Sequence, residues 1–471
     1  MNNSLKLVLC SVVPVVILLL PRTWIPLEGI TEIEQRVVAI FFFAAIFWIV
    51  EPIPVYTTSL LIIFLELILL SEKGLIFLRH ETNEFYGQAV GYKDILHTFA
   101  SPIIILFLGG FFLAMAATKY RLDQNMARVL LAPFGVKPKY VMLGLMSITA
   151  IFSMFMSNTA TTAMMLSILA PVLAVFEAND KGKIAFALAI PLAANVGGIG
   201  TPIGTPPNAV ALKYLTGADM ISVGEWMIFA VPFVIVLLGI GWLALLSIYP
   251  TQTRTINLDI KGKFLKNTKA YIVYATFAGT ILLWLTDFIH GMNSYVVAML
   301  PVAVFSATGI ISKTDLQRVS WDVLWLVSGG IALGLALDKS GLASRVIGSI
   351  PFEGLSPLVI VLAVSVVAAV MANFMSNTAT ANLLLPLVAV LGTSISSISE
   401  YGGSQMIVLA TTIACSMGMA LPISTPPNAL AFGTGLFETR HMAKPGIVMA
   451  IIGLILSYAL LFILQSSGFF K

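Results

Sequence analysis

The chain contains one seven-residue segment twice, letter for letter, inside two long apolar stretches. Residues 155–161 and 374–380 both read Phe-Met-Ser-Asn-Thr-Ala-Thr, and each copy is followed about 45 residues later by Thr-Pro-Pro-Asn, at 205–208 and 425–428. Motifs that recur in the same order indicate an internal repeat, which sets the architecture. Polar, helix-breaking motifs at matching places in two apolar halves are the sequence pattern of a secondary transporter's binding site.

The composition places this repeat in a membrane. Of 471 residues, 58% are apolar and 10% are charged, and the mean hydropathy is +0.98. These values exclude a soluble globular protein and indicate a polytopic membrane protein. The net charge of +4 does not predict a nucleic-acid partner, because the basic residues lie in short loops between apolar stretches. Cys10 and Cys415 lie within apolar stretches, so we expect neither a disulfide nor a metal cluster.

Eleven stretches approach the length of about 20 residues that one membrane crossing requires. They are residues 5–21, 35–50, 53–71, 97–118, 183–212, 226–248, 270–287, 293–311, 320–338, 404–436 and 445–466. The first is interpreted as a span rather than a signal peptide, because no small-residue cleavage site follows it. Residues 140–176 and 356–397 are too long for one crossing and carry the repeated motif near their middle. We therefore predict an all-α polytopic membrane protein with about 11 transmembrane helices and two re-entrant hairpins.

Orientation follows from the rule that lysine and arginine accumulate in cytoplasmic loops. With a cytoplasmic N-terminus, seventeen of the 26 basic residues fall inside: Lys6, Lys119, Arg121, Arg128, Lys137, Lys139, Lys181, Lys183, Arg254, Lys261, Lys263, Lys266, Lys269, Lys313, Arg318, Arg440 and Lys444. The first hairpin is then reached from inside, at Lys139, and the second from outside, at Ser399.

The repeat extends beyond the motifs. Gly109 and Gly110 match Gly329 and Gly330 at an offset of 220 residues, and five predicted crossings separate the two helices that carry them. An odd number of crossings reverses the second copy, so we predict an inverted repeat with a pseudo-two-fold axis in the membrane plane. The paired glycines are predicted to allow close helix approach.

Both hairpin tips are predicted to favour an anion. Non-helical backbone within hydrocarbon is tolerated only where protein or a watery cavity covers it. The second half of each hairpin is predicted to start just after its motif, and the free N–H groups and positive dipole end of a helix start attract negative charge. Side-chain donors are added by Asn158, Thr159, Asn377 and Thr378.

The Thr-Pro-Pro-Asn motifs are predicted to favour a cation. Their prolines lack an N–H and clash with carbonyls four residues earlier, which frees backbone oxygens. Carbonyl, serine and asparagine oxygens suit sodium, and the four motifs contain neither the His nor the Cys that softer metals prefer. Because no Lys or Arg lies near the motif centres, co-bound sodium is expected to balance an anion.

The residues alone leave alternatives open. A single Ser-Asn-Thr also suits a polar loop between spans, a single Thr-Pro-Pro-Asn suits a helix stop, and a sodium-independent exchanger would use the same tips. An intramembrane enzyme would need a base beside its nucleophile, which the motifs do not supply, and matched hairpins favour alternating access over a channel. Glu51 is interpreted as an interface residue or helix cap, and Glu66 as either a functional carboxylate or an interhelical contact.

With its paired Ser-Asn-Thr and Thr-Pro-Pro motifs, nearly the whole chain resembles the divalent anion/sodium symporter family, which includes bacterial sodium-dependent dicarboxylate carriers. The resemblance implies a homodimer in the lipid of a bacterial inner membrane. Each protomer would move a transport domain past a scaffold domain in an elevator motion. It would import C4-dicarboxylates (succinate, malate, fumarate) with sodium, or alternatively citrate or tartrate. The implied scaffold domain comprises 1–134 and 250–350; the transport domain comprises 135–249, with the inner hairpin, and 351–471, with the outer one.

The resemblance also implies the site residues. The first sodium site would use Ser153, Ser157, Asn158 and the backbone around Gly204, and the second Ser376, Asn377 and the backbone around Ala372 and Ser424. Substrate carboxylates would meet Ser157, Asn158, Thr159, Ser376, Asn377 and Thr378, flanked by Thr205, Thr425 and Pro426. One departure is that Ala372 stands where the repeat predicts a counterpart of Ser153, so the second sodium site rests on a backbone carbonyl there.

Overall fold

A computed structural model describes residues 3–80, 83–177, 179–256, 263–349, 355–395, 398 and 402–470. Apart from short 3₁₀ turns and one isolated bridge, the regular elements in these ranges are α-helices. In chain order they are α1 (Asn3–Leu19), α2 (Glu32–Val50), α3 (Val55–Leu69), α4 (Tyr92–His97), α5 (Pro102–Lys119), α6 (Leu122–Leu131), α7 (Pro138–Phe155), α8 (Asn158–Leu173), α9 (Gly182–Gly198), α10 (Pro206–Leu212), α11 (Val223–Ile248), α12 (Thr268–Leu285), α13 (Asp287–His290), α14 (Ser294–Ala307), α15 (Lys313–Leu316), α16 (Trp321–Lys339), α17 (Leu342–Gly348), α18 (Pro357–Phe374), α19 (Asn377–Ser394), α20 (Gly403–Ser416), α21 (Pro426–Phe432) and α22 (Thr439–Ser466). The all-α prediction is confirmed. Ser399 and Lys261, which bear on the predicted topology, lie outside the described residues.

Eight helical segments in the described ranges are long and apolar enough to cross a membrane. They are Glu32–Val50, Tyr92–Lys119, Pro138–Phe155, Val223–Ile248, Thr268–Leu285, Trp321–Lys339, Pro357–Phe374 and Thr439–Ser466. Six of them match predicted spans, and two are the first arms of the predicted hairpins. The other five predicted spans contain shorter apolar helices. The chain is therefore multi-pass, while the number of crossings stays a prediction.

Each predicted hairpin is two helices joined by two residues. The first consists of α7 and α8, the second of α18 and α19, and the turns are at 156–157 and 375–376. Each second helix starts at the motif's asparagine, inside the motif rather than just after it as predicted. The reason is that Ser157 and Ser376 act as N-caps, each accepting a hydrogen bond from the N–H three residues on at 3.2 Å.

Two predicted spans are interrupted. The stretch 183–212 divides into α9 and α10, and the stretch 404–436 divides into α20 and α21. In both, a non-helical segment precedes Thr-Pro-Pro, and the prolines occupy the first two positions of a seven-residue helix. Proline is favoured there because its missing N–H would have no intrahelical acceptor.

The matched glycines bring helices from the two halves into contact. A Cβ at Gly109 in α5 would overlap the backbone of Ala298 in α14, and a Cβ at Gly329 in α16 would overlap Ser59 in α3. Only glycine leaves room for these approaches, as the sequence predicted. Each half therefore packs its glycine-bearing helix against the other half.

Ion pairs at the helix ends are consistent with the predicted sides of the membrane. Arg345 pairs with Glu34 at 2.7 Å, and Lys119 pairs with Asp315 at 2.5 Å. The prediction places the first pair outside and the second inside. Partial burial raises the pKa of Asp315, but hydrogen bonds from Lys119 and Ser312 outweigh it and lower the pKa to about 2.

Candidate functional site

One cavity of about 550 Å³ brings both Ser-Asn-Thr tips and both Thr-Pro-Pro motifs together. The nine residues predicted to bind substrate all line it: Ser157, Asn158, Thr159, Thr205, Ser376, Asn377, Thr378, Thr425 and Pro426. Gly204 and Ser424 line it as well, whereas Ser153 and Ala372 lie behind the tips and are fully buried. Segments about 220 residues apart in sequence thus form one site, and binding by these residues stays a prediction.

The two tips present helix starts to this cavity. By position, the first N–H groups of α8 and α19 lack an intrahelical acceptor. The capping serines satisfy the N–H of Ala160 and Ala379, which leaves the N–H groups of the first two residues of α8 and α19 for another partner. A carboxylate in the cavity would meet these donors and the positive ends of two helices.

Behind the first tip, oxygen atoms converge on Asn158. The Ser153 hydroxyl lies 2.5 Å from Asn158 Oδ1 and 2.7 Å from the carbonyl oxygen of Ala194. A Cβ on Gly198 would stand 2.8 Å from the Asn158 amide atoms and 3.0 Å from the carbonyl oxygen of Gly204. This uncharged, oxygen-rich set suits a sodium ion, for which Ser153 and Asn158 would be the side-chain ligands.

Behind the second tip the polar groups are arranged differently. With its side-chain amide assigned the orientation that satisfies its neighbours, Asn377 donates to the carbonyl oxygens of Cys415 and Gly418, at 3.1 and 3.2 Å. Ala372 packs against the backbone of Gly418 and offers no side-chain oxygen. The Ser424 hydroxyl donates to the carbonyl oxygen of Leu421 at 2.7 Å. A cation here would depend on Asn377, Ser424 and backbone carbonyls.

The structure corrects the reason why carbonyls are free near the Thr-Pro-Pro motifs. The prolines start helices instead of interrupting them, so the carbonyls that lie outside a helix belong to the loops before the motifs. The asparagine that ends each motif holds its loop. Asn208 Nδ2 donates to the carbonyls of residues 198, 199 and 201 at 3.1, 3.2 and 2.8 Å, and Asn428 Nδ2 donates to those of 419 and 421 at 3.0 and 2.9 Å.

Asn195 is a site residue that the sequence analysis missed. It is 3% exposed, lines the cavity, and its Nδ2 donates to Asn428 Oδ1 at 2.9 Å. This bond joins the two interrupted spans across 233 residues of sequence. An asparagine in the middle of an apolar span was the signal that could have revealed it.

Apart from Ser416, the rest of the lining is apolar or acidic. Phe107, Phe111 and Leu326 form apolar walls, and Glu51 and Asp322 lie at an exposed edge, which we call the mouth. Glu51 caps the C-terminus of α2 in a left-handed conformation, with φ of 49°, as one sequence interpretation held. No lysine, arginine or histidine is among the described residues that line the cavity.

Comparison with known proteins agrees with this geometry. Over residues 1–465 the chain matches the family described as the sodium:sulfate symporter transmembrane region. It is 30% identical to the sodium-dependent dicarboxylate transporter SdcS of Staphylococcus saprophyticus, over 91% of this chain and 85% of that protein. It is 32% identical to SdcS of Staphylococcus aureus, over 92% and 85%.

Solved structures show the same kind of fold at low sequence identity. The YdaH transporter of Alcanivorax borkumensis aligns with a TM-score of 0.55 and 12% identity, covering 88% of this chain and 99% of that one. Neisseria gonorrhoeae MtrF aligns with a TM-score of 0.52, also at 12% identity, over 87% and 94%. The chain belongs to the sodium:sulfate symporter family, and it is a membrane transporter rather than an enzyme.

Proposed function

We propose that this transporter imports C4-dicarboxylates such as succinate, malate and fumarate together with sodium ions. The observation that carries the proposal is the single cavity into which two helix starts and two oxygen-rich loops converge. The named relatives, which are sodium-dependent dicarboxylate transporters, support the same substrate class.

The two tips match the two ends of a short dianion. Each carboxylate would accept hydrogen bonds from one Ser-Asn-Thr tip, so Asn158 and Asn377 would act as paired contacts. The helix starts offer roughly half a positive charge each, which leaves about one negative charge of a dicarboxylate unbalanced. Bound sodium would supply the balance.

The acidic mouth strengthens the case for sodium. Glu51 and Asp322 repel an incoming dianion, and no basic side chain of the described lining opposes them. Cations bound behind the tips would make the cavity electrostatically acceptable to the substrate. This argument favours symport over exchange without sodium.

We propose an elevator mechanism built on an inverted repeat, in a homodimer within the bacterial inner membrane. The cavity lies between the predicted domains, which supports this. Its apolar walls and mouth come from 1–134 and 250–350, and its polar motifs come from 135–249 and 351–471. Movement of the transport domain, which carries the polar motifs, past the scaffold domain would take the bound substrate and its binding residues across the membrane together.

Purified protein in proteoliposomes tests the proposal. Labelled succinate should enter with an inward sodium gradient, and uptake should fall at least tenfold when potassium replaces sodium. Asn158→Ala protein should take up at least about tenfold less succinate, whereas Asn293→Ser, which keeps a helix cap away from the cavity, should match the parent. Sodium-independent uptake that requires unlabelled succinate inside the vesicles would instead show an exchanger.

Competition in the same vesicles ranks the substrates. Malate and fumarate should displace labelled succinate at similar concentrations, because they keep two carboxylates four carbons apart. Stronger displacement by citrate, tartrate or sulfate would overturn the C4 assignment while leaving sodium coupling intact.

A further inference from the structure

A charged cluster lies where the end of α10 meets α16, which packs on α3, outside the substrate cavity. It consists of the buried Glu66, the half-buried Lys213 and Tyr214, and the exposed Asp338. Glu66 is 0% exposed, and neither of its carboxylate oxygens has a hydrogen-bond partner among the described residues. The Tyr214 hydroxyl is likewise buried and unpartnered there.

Lys213 makes the contact that joins the two sides. Its amine donates to the backbone carbonyl of Ile331 in α16, with the carboxyl groups of Glu66 in α3 and Asp338 in α16 in its neighbourhood. Lys213 belongs to the predicted transport domain. Ile331, Asp338 and Glu66 belong to the predicted scaffold domain.

A glycine in α16 makes room for this contact. A Cβ at Gly334 would overlap the Tyr214 hydroxyl and stand 2.7 Å from Lys213 Nζ. Any larger residue would displace the ends of these two side chains. The approach is therefore built into both sides of the interface.

The cluster lies at the opposite end of the cavity from the mouth. In α3, Glu66 is 11 residues beyond Val55, which lines the cavity, or about 16 Å along the helix axis. In α16, Gly334 is eight residues, about 12 Å, beyond the lining residue Leu326. The predicted topology places the mouth on the cytoplasmic side and the cluster toward the outside.

We propose that Lys213 is a charged latch that closes the outer end of the cavity while its mouth is open to the cytoplasm, and that its release from the scaffold is a step in the switch to outward access. The inference rests on the proposed elevator mechanism, and it names the contact that must break. A lysine withdrawn from the Ile331 carbonyl would regain water, but Glu66 would remain buried with no cation in its neighbourhood, so release carries an electrostatic cost.

The latch has no equivalent at the other end. By the offset of 220 residues, Gly433 takes the place of Lys213, and Ala114 takes the place of Gly334. An outward-open arrangement would therefore have no equivalent contact to close the cytoplasmic end of the cavity. The latch would thus bias the resting protein toward cytoplasmic access.

Side-specific labelling of one cavity cysteine tests the latch. Ile423 lines the cavity on the predicted transport domain and is 68% exposed, so a cysteine there should react from whichever side is open. The background carries Cys10→Ser and Cys415→Ala. With an impermeant thiol reagent, Ile423→Cys should label mainly from the cytoplasmic side, in inside-out membrane vesicles.

Weakening the latch should move labelling to the outer side. Lys213→Met and Glu66→Gln should each raise the ratio of outside to inside labelling at least tenfold, and the exchanged pair Lys213→Glu with Glu66→Lys should bring it back toward the parent. Lys339→Met, which removes an exposed lysine of α16, is the matched control and should change nothing.

Gly334→Ala tests the latch without altering any charge, and alanine favours the helix. It should raise the same ratio, because the added methyl group displaces Lys213 and Tyr214. Unchanged labelling in Gly334→Ala and Lys213→Met would overturn the latch. Since labelling requires no substrate, this result is independent of whether the transporter carries dicarboxylates or couples to sodium.

Discussion

The two halves of the site have the same tips but different support behind them. Both tips start a helix at asparagine, with a serine cap at 3.2 Å. Behind the first, a serine hydroxyl contacts Asn158; behind the second, Ala372 packs on Gly418. The repeated residues face the cavity and the divergent ones lie behind it. This division teaches that the proposed substrate contacts can be symmetric while the two proposed cation sites differ.

The strongest test of the shared tips is to remove their asparagines. Asn158→Ala and Asn377→Ala should each lower initial succinate uptake by about 10- to 150-fold, the equivalent of roughly 1.5–3 kcal/mol for a hydrogen bond to a charged group. Uptake should be normalised to the amount of reconstituted protein. Full activity in either variant would show that the tips are not equivalent.

Exchanging the residues behind the two tips, Ser153 and Ala372, tests the difference between the halves. Ser153→Ala makes the first half resemble the second and should raise the sodium concentration for half-maximal uptake by about 2- to 12-fold, for a loss of about 0.5–1.5 kcal/mol. Ala372→Ser should not lower this sodium concentration, because residue 372 is packed against the backbone of Gly418. Sodium titrations at saturating succinate measure both. An improved sodium response in Ala372→Ser would mean that the second half lacks only the hydroxyl.

The tip threonines should have smaller effects. Thr159→Ala and Thr378→Ala should each raise the KM for succinate by about two- to fivefold and leave kcat largely unchanged, since each loses one hydrogen bond. Thr378 is 8% exposed and Thr159 is exposed, so the larger increase is expected at Thr378. An equal increase in KM in the two variants would show that the two threonines do not differ in this way.

The smallest effects are expected at the prolines. Replacing Pro206 and Pro207, or Pro426 and Pro427, with alanines should change sodium activation by less than about twofold, because alanine also tolerates the first turn of a helix. Asn208→Ala, which releases three loop carbonyls, should change it more. A large loss in both proline variants would restore the hypothesis that the prolines themselves free the cation ligands.

Much of the site could be predicted because its polar residues stand out against an apolar chain. The Ser-Asn-Thr and Thr-Pro-Pro motifs were recognisable by composition, spacing and repetition, and the structure places them in one cavity. The glycine pairs were equally easy to interpret, because glycines within a membrane span commonly mark close helix packing.

Other features depended on contacts between distant segments. Asn195 donates a hydrogen bond to Asn428, and Lys213 donates one to the carbonyl of Ile331. Sequence spacing predicts neither contact. The helix starts inside the motifs were missed because a serine that caps a helix and a serine in a loop look alike in a sequence. The proline argument failed for a similar reason, because proline can either start a helix or interrupt one.

The bond between Asn195 and Asn428 has a consequence for biosynthesis. At about 5–20 residues per second, the ribosome needs roughly 10 to 50 s to add the 233 residues that separate the partners. During that interval the Asn195 amide has to find water or a temporary neighbour, because its acceptor does not yet exist. The contact between the two interrupted spans thus forms late in assembly, only after the second of them has entered the bilayer.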